Sequence, residues 1–577
     1  MDQPHPAWDY LIVTASSEVQ ARAYRHQLEA RRKSGALADF RQSLVVADLE
    51  GKRIGSGGST LLCLMEVLSR ELHPEKGTVP VCRNGPTGAT HKRGQSPFLD
   101  ADWAVIETAL RRLRILILHA GGDSRRLPAY GPCGKIFVPL PGQAKGGAVL
   151  DGLLQNFVPL PAPPEGSGQV VVAAGDALIR FDPAIVRLVP GALTALGCYA
   201  TAEESSKHGV FCGASSQLAR AEGWSHGQVE NLPHVVPVRL FLQKPSPAVQ
   251  AEAGALDAAG RSVLDVAVMS FGAEVAVALL KAIEAAPDAQ GRLAWSPAMH
   301  EQIMARGLDL YREICCALGT EATAEHLIDS ARSSGSTWDE TSLRRLFDKL
   351  HLIPFHVQVL PECRFLHFGT TRQLITTGLE FLRHAGIPLP ADRVLCLNNV
   401  IMSGGSLTGR GSWVEACRIK APVSLAGQNV LIGVDVEEPL CLPEGACLDV
   451  VPGRDRQGQA VWFVRCYDID DTFKDTVQAG ATLCGKSLAE WLAAVGARHA
   501  DAWDASIPEA KRSLWDARVF PAVSRPGDYR QWLWMFGPAP PNDQQKQAFQ
   551  RADRYSVAEV AWLADQEAFA RRRELPA

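Results

Sequence analysis

The sequence predicts an α/β protein with a mostly parallel sheet, a helical middle region and a C-terminal β-helix domain. Three observations carry this. Ile115 to Leu118 is an apolar run without helical gaps, the pattern of a parallel strand buried on both faces. Other such runs alternate with helix-compatible segments in the first half of the chain. From about Val394 to Val450 the helical period disappears, and short apolar pieces alternate with Gly, Ser, Asn and Asp, which suggests stacked coils. At 577 residues the chain exceeds what one core usually holds. The expected boundaries are 1–300 for the α/β domain, 301–385 for a helical linking region and 386–577 for the β-helix with a C-terminal helical segment.

In order, Tyr10 to Thr14 reads as the first strand, with Ala15 to Lys33 helix-compatible after it. Ser43 to Asp48 is a second strand, followed by a glycine loop at Gly55 to Thr60, which includes Gly57 and Gly58, and an apolar helix from Leu61. A helix N-terminus favours anions, so this loop is expected near a nucleotide, the alternative being a plain strand–helix turn. Residues 75 to 97 are rich in Gly, Pro, Thr and basic residues, so a surface loop is expected, with His91, Lys92 and Arg93 a solvated run. Gln169 to Ala174 is a strand ending in Gly175-Asp176, and Val238 to Gln243 is a strand ending at Lys244. Leu264 to Gly272 reads as another strand, with Asp265 near its start. Val275 to Ala286 is helical, Leu308 to Gly319 reads as an amphipathic helix ended by glycine, and Phe355 to Leu360 alternates like a half-buried strand. Asp468, Asp470 and Asp471 lack the spacing of a calcium loop and are read as structural. Trp515 and the aromatic run Trp532 to Phe536 read as the apolar face of a terminal helical region.

The organising stretch is the strand ending at His119 and the loop Gly121-Gly122-Asp123-Ser124-Arg125-Arg126-Leu127, with Lys135 shortly after. Glycines let successive backbone N–H groups approach phosphate oxygens, and Arg125, Arg126 and Lys135 bring positive charge alongside. A Gly-Gly pair alone could be a tight turn. Two common phosphate motifs fail: Gly134-Lys135 is followed by Ile136, without the hydroxyl of a Walker loop, and the adjacent glycines do not match the dinucleotide fingerprint.

Composition excludes several classes. A formal charge of -4 and a pI of about 6.4 argue against binding nucleic acid by mass electrostatics. The 14 cysteines include no Cys-x-x-Cys pair, so neither a zinc site nor a disulfide framework is indicated, and a reducing cytoplasm fits. No stretch approaches the roughly 18 apolar residues of a membrane span, and no basic-then-apolar leader opens the chain, so a soluble cytoplasmic protein is expected.

The strand, the Gly-Gly-x-Ser-x-Arg-Leu-Pro loop and the following Lys135 resemble sugar-phosphate nucleotidyltransferases, and within them the fucose-1-phosphate guanylyltransferases (GDP-L-fucose pyrophosphorylases). Ser124 and Arg125 stand where the wider superfamily has Gly and Thr. Further segments resemble the same branch in order: Gly55 to Thr60, Leu308-Asp309-Leu310-Tyr311, Phe365 to Arg372, Leu442 to Pro452 and Val464 to Lys474. The resemblance implies a Rossmann-like, GT-A-like nucleotidyltransferase domain. It also implies transfer from GTP to L-fucose 1-phosphate, giving GDP-L-fucose and diphosphate, with Mg²⁺ as cofactor.

Carried onto this chain, the resemblance makes Gly121, Gly122, Asp123, Ser124, Arg125, Gly57 and Gly58 nucleotide-binding candidates. Arg126 and Lys135 would hold the phosphates, Lys244 the sugar phosphate, and Asp176 with Asp265 the metal. Lys244 follows Gln243 where the family has Glu. His367 and Arg372 either reach the substrate or are structural. No side-chain nucleophile is needed, because positive charge, metal and in-line geometry suffice for such a transfer. The kinase that follows in bifunctional relatives has a Pro-x-Gly-Leu-Gly-Ser-Ser-type loop, and none occurs after Phe520, so no fucokinase activity is expected. Two alternatives stay open: a pyrophosphorylase for another sugar 1-phosphate or nucleotide, and a non-catalytic scaffold that binds a nucleotide sugar.

Overall fold

A computed structural model of the chain describes residues 6–72, 100–142, 147–213, 234–288 and 292–573. The loop expected at 75–97, with His91, Lys92 and Arg93, lies outside the described residues. In the first part of the chain the strands are β1 (Trp8–Ala15), β2 (Phe40–Ala47), β3 (Arg114–His119), β4 (Gln169–Ala174), β5 (Ala177–Arg180), β6 (Leu193–Thr201) and β7 (Gly209–Cys212). They continue with β8 (His234–Pro237), β9 (Leu240–Gln243), β10 (Arg261–Phe271), the hairpin pair β11 (Ala286–Pro287) and β12 (Leu293–Ala294), β13 (Phe355–Leu360) and β14 (Arg364–His367). The central sheet runs β2-β1-β3-β4-β10-β6-β13-β8, with β7 paired to β10 and β9. Along that path β2, β1, β3, β4, β6 and β13 point one way and β10 and β8 the other. The sheet is mixed and mostly parallel.

Side chains of β1 alternate between two apolar layers. Leu11 and Val13 join one cluster while Tyr10 and Ile12 join the other, and both faces of the sheet are covered. The helix α1 (Glu18–Lys33) starts at Ser17, whose hydroxyl accepts from the Gln20 amide at 3.3 Å, and ends in Arg31, Arg32 and Lys33 beside its carbonyls.

Three expectations are corrected. Gly55 to Thr60 forms no separate loop; it is the first turn of α2 (Gly55–Leu72). Close packing explains its glycines: a Cβ on Gly57 would meet the Leu308 carbonyl and the Ile314 side chain at 3.0 Å, and one on Gly55 would overlap the Leu308 backbone. Leu308 to Gly319 is not an amphipathic α-helix. A π-turn at Leu310–Ile314 passes into a 3₁₀ turn at Cys315–Ala317. The wide turn is fixed by polar groups, since Glu313 accepts from the Asp309 amide at 2.7 Å and Ser56 accepts from the Leu310 amide at 2.9 Å. Phe355–Leu360 is not half-buried: β13 sits inside the central sheet between β6 and β8.

Beyond residue 386, short strands form three parallel ladders side by side. One joins Val394–Leu397, Ser412–Glu415, Val430–Ile432 and Ala446–Arg454; the others join 400–401, 418–419, 435–436 and 406–408, 422–425, 440–442. Partners recur every 16 to 18 residues, as in Leu407 opposite Val423, Trp413 opposite Val430 and Leu395 opposite Trp413. The core of these ladders is continuous with the lower layer of the sheet. At the junction, a Cβ on Gly378, in the helix Thr371–His384, would lie 2.7 Å from Leu395 and 3.2 Å from Trp413. Among the described residues no helix is long and apolar enough to cross a membrane.

Candidate active site

The carboxyl ends of β3 and β4 open into one cleft, where open α/β sheets hold ligands. The loop after β3 forms its floor. Gly122 has φ 123° and Ser124 φ 57°, both in the left-handed region, so the backbone turns sharply twice within three residues. Neighbours hold this shape. The Gln20 amide donates to the Gly122 carbonyl at 2.8 Å, and the buried Tyr24 hydroxyl donates to the Ala120 carbonyl at 2.8 Å. Asp123 braces the loop from its other side, accepting from Arg53 at 2.9 Å and Arg125 at 3.0 Å.

The cleft encloses about 290 Å³ and is lined by Gly121, Asp123, Arg126, Lys135, Asp176 and Lys474, among others. Arg126 is exposed, and among the described residues no hydrogen bond or ion pair holds its guanidinium. Its carbonyl accepts from the Thr371 amide at 3.0 Å, which ties the loop to the helix Thr371–His384. Lys135 donates from Nζ to the Gly369 carbonyl at 3.1 Å. Burial lowers the Lys135 ammonium below its usual value, Asp176 opposes this, and Arg126 adds to it, so the three charges share one field.

Asp265 lies deeper, 4% exposed, at a bulge of β10 where Ala267 has φ 58°. The Ala267 amide donates to its carboxylate at 2.9 Å. Burial pushes the Asp265 carboxyl up to about 7, and among the described residues no cationic side chain offsets it. The Tyr311 hydroxyl is raised by burial and then by Asp265, Asp309 and Asp176, so both expected metal ligands lie within electrostatic reach of one phenol. Among the described residues, no three His, Cys, Asp or Glu side chains cluster as a complete metal cage. Two carboxylates and a bound triphosphate are what a magnesium ion ordinarily uses, since it keeps several waters.

The other expected residues divide. Lys244 follows β9 with φ 51° and an exposed side chain, and its amide donates to the His208 carbonyl at 2.9 Å. His208 is lowered by burial and then by Lys244 and Lys207, and it meets Phe365 edge-on at 5.6 Å. His367, on β14, is lowered by burial, with Asp176 opposing and Lys135, Arg126 and His208 adding, and among the described residues its buried Nδ1 has no hydrogen-bond partner. Asp176, Lys135 and Arg126 thus lie within electrostatic reach of His367, and Lys244 within reach of His208. Gly57 and Gly58 pack within α2, and Arg372 is turned to Asp470, at 2.6 and 2.9 Å, and to Gln428; these three, like Asp265, Lys244 and His367, stand outside the cleft lining. Arg125 lines the cleft but is spent on Asp123.

Sequence reasoning did not single out Arg53 or Lys474, which also line the cleft. It also gave no role to Gln20 and Tyr24, which hold the loop. Lys474 ends a segment that resembles the fucose branch, but nothing in its neighbours marks it as a ligand.

A model of the fucose pyrophosphorylase domain matches residues 107–525. The chain is 26% identical over 569 residues to a bifunctional fucokinase/GDP-fucose pyrophosphorylase of Arabidopsis thaliana, covering 92% of this chain and 48% of that protein. It is 24% identical over 534 residues to an L-fucokinase/L-fucose-1-P guanylyltransferase of Bacteroides fragilis, covering 89% and 46%. With a fucose-1-phosphate guanylyltransferase of Mus musculus it shares 24% identity over 544 residues, covering 90% and 84%. The chain spans about half the length of the two bifunctional relatives.

Proposed function

Because the chain belongs to the fucose pyrophosphorylase family, we propose that it converts GTP and L-fucose 1-phosphate into GDP-L-fucose and diphosphate. The observation that carries this is the meeting of Arg126, Lys135 and Asp176 in one cleft beside a glycine loop at the ends of parallel strands.

In this reading an oxygen of the sugar 1-phosphate attacks the α-phosphorus of GTP in line with the departing diphosphate. The amides of Gly121 and Gly122, with Arg126, hold the β and γ phosphates. Lys135 faces the α-phosphate, where charge develops, and its bond to Gly369 fixes its reach. Lys244 steadies the incoming sugar phosphate, and His367 reaches the substrate. Asp176 and Asp265 would hold Mg²⁺, which neutralises phosphate charge and orients the triphosphate when bound. A buried Asp265 carboxylate without a cationic partner among the described residues fits that role.

The three side-by-side ladders, with partners every 16 to 18 residues, support reading 386–577 as a β-helix domain with a C-terminal helical segment. Residues 1–300 are then the catalytic domain, and 301–385 link the two while lending β13 to the sheet. Free thiols at all 13 described cysteines support a reducing compartment, the cytoplasm.

The test is diphosphate release with Mg²⁺ from a panel of nucleoside triphosphates and sugar 1-phosphates. The pair GTP and L-fucose 1-phosphate is expected to give the highest kcat/KM. Preference for another pair would change the substrate assignment, and nucleotide-sugar binding without any turnover would leave a scaffold.

A further inference from the structure

The positive charge around the phosphate loop is unevenly available. Of the cationic side chains lining the cleft, Arg53 and Arg125 are both bound to Asp123, and Lys135 is bound to the Gly369 carbonyl. Among the described residues, no hydrogen bond or ion pair holds Arg126 or Lys474. A triphosphate carries more negative charge than Arg126 alone can balance, and Asp123 and Asp176 stand nearby. The second unspent cation in the lining therefore matters.

Lys474 is exposed, yet its backbone is firmly placed. Phe473 before it is 1% exposed, stacks on Phe520 at 6.2 Å and meets Tyr467 edge-on at 5.4 Å. Just upstream, the buried Asp471 carboxylate accepts from the Thr482 hydroxyl at 2.7 Å and from the Cys484 and Gly485 amides at 2.6 and 3.1 Å. A lysine on such a turn has its stem fixed and only its own rotamers to lose on binding.

Its neighbours also decide which end of the site it serves. The Phe473 carbonyl accepts from the Trp515 amide at 3.0 Å, and Arg125 lies over the Trp515 ring at 5.9 Å. Lys474 therefore approaches from the side of the glycine loop, whereas Lys244 is tied to His208 at β7 and β9. We propose that Lys474 is a phosphate-binding residue that the C-terminal domain delivers to the β and γ phosphates, and so to the departing diphosphate. The inference rests on the nucleotidyltransfer reading and adds to it that the site is incomplete without the C-terminal domain.

The test uses the full chain and its Lys474→Met and Lys474→Arg variants, with inorganic diphosphate as probe in calorimetry and GTP and L-fucose 1-phosphate in initial-rate kinetics. In Lys474→Met, diphosphate affinity falls and the KM for GTP rises, each about tenfold, while the KM for the sugar phosphate holds. Arginine restores most of both, and the difference between wild type and Met shrinks as salt is raised. Unchanged diphosphate affinity and GTP KM in Lys474→Met would overturn the proposal. So would a loss of all parameters together with the unfolding midpoint, unrestored by arginine, as a purely structural role would produce. A wild-type chain that neither binds diphosphate nor releases it from GTP would remove the nucleotidyltransfer reading, and this inference with it.

Discussion

Lys135 reaches across the cleft to the carbonyl of Gly369, 3.1 Å away. Gly369 opens the turn into the helix Thr371–His384, and that helix in turn packs against the first strands of the C-terminal ladders. The lysine expected at the α-phosphate is thus positioned by a segment far along the chain, and its charge is shared with Asp176 and Arg126.

Replacing Lys135 or Arg126 should therefore remove transition-state stabilisation without removing the fold. Lys135→Met and Arg126→Ala are each expected to lower kcat by on the order of a hundredfold or more, with circular dichroism and the unfolding midpoint near wild type. Folded variants that keep near-normal turnover would mean the cleft is not where phosphoryl chemistry occurs.

Gly134, just before that lysine, tests the geometry from behind. It has φ 80°, and a Cβ there would lie 2.2 Å from the Tyr24 hydroxyl and 2.4 Å from its ring. Tyr24 cannot swing away freely, because it is fully buried and bonded to the Ala120 carbonyl. Gly134→Ala should cost roughly 2 kcal/mol or more in denaturant unfolding and lower kcat by displacing Lys135. Tyr24→Phe would not rescue it, since the ring itself is in the way.

The β3 strand and its loop were legible because a buried parallel strand and a glycine turn are local properties, visible in Ile115 to Arg126. The short strands beyond residue 386 were legible for the same reason, each being bounded by its own turn residues. What was hidden depends on partners distant in sequence. Gly57 and Gly58 signal a loop until Leu308 to Ile314 is folded against them, and then they are contact residues inside a helix. Arg125 carries the same charge as Arg126 in the motif, yet Asp123 neutralises one and leaves the other. The resemblance makes Asp265 a metal ligand near the start of a strand, but β10 begins at Arg261, and only the bulge at Ala267 reveals how deeply it is buried. Lys474 reaches the cleft only through a tertiary contact that no local pattern encodes.

His119, at the end of β3, should make stability depend on acid. It is bonded to Thr60 at 2.9 Å, and burial lowers it from 6.5 to about 4. Between those values the unfolded chain binds a proton that the native site refuses, so stability is fully present above pH 6.5 and falls as pH drops toward 4. The depth is roughly 3 kcal/mol, since each tenfold loss of proton affinity is worth about 1.4 kcal/mol. His119→Gln keeps a polar partner for Thr60 and should flatten this window in denaturant titrations at several pH values. An unchanged slope would mean another group controls it.

If Asp265 holds the metal as proposed, it sets function against stability at a single residue. Its carboxylate is almost fully buried, receives one amide bond and has no cationic partner among the described residues, so in metal-free protein its charge is poorly solvated. The neutral Asp265→Asn side chain has nearly the same shape and can keep the bond from Ala267. At pH 8 without divalent ions this variant should unfold at a higher temperature than wild type, because the uncompensated charge is gone. Added Mg²⁺ should then raise the wild-type midpoint and leave the variant's in place. Turnover should show the opposite order, falling on the order of a hundredfold or more in Asp265→Asn while Lys474→Met mainly shifts the KM for GTP. An Asp265→Asn protein that is less stable than wild type in metal-free buffer, or that still turns over normally with Mg²⁺, would show that the buried carboxylate belongs to the packing of β10 and not to metal binding.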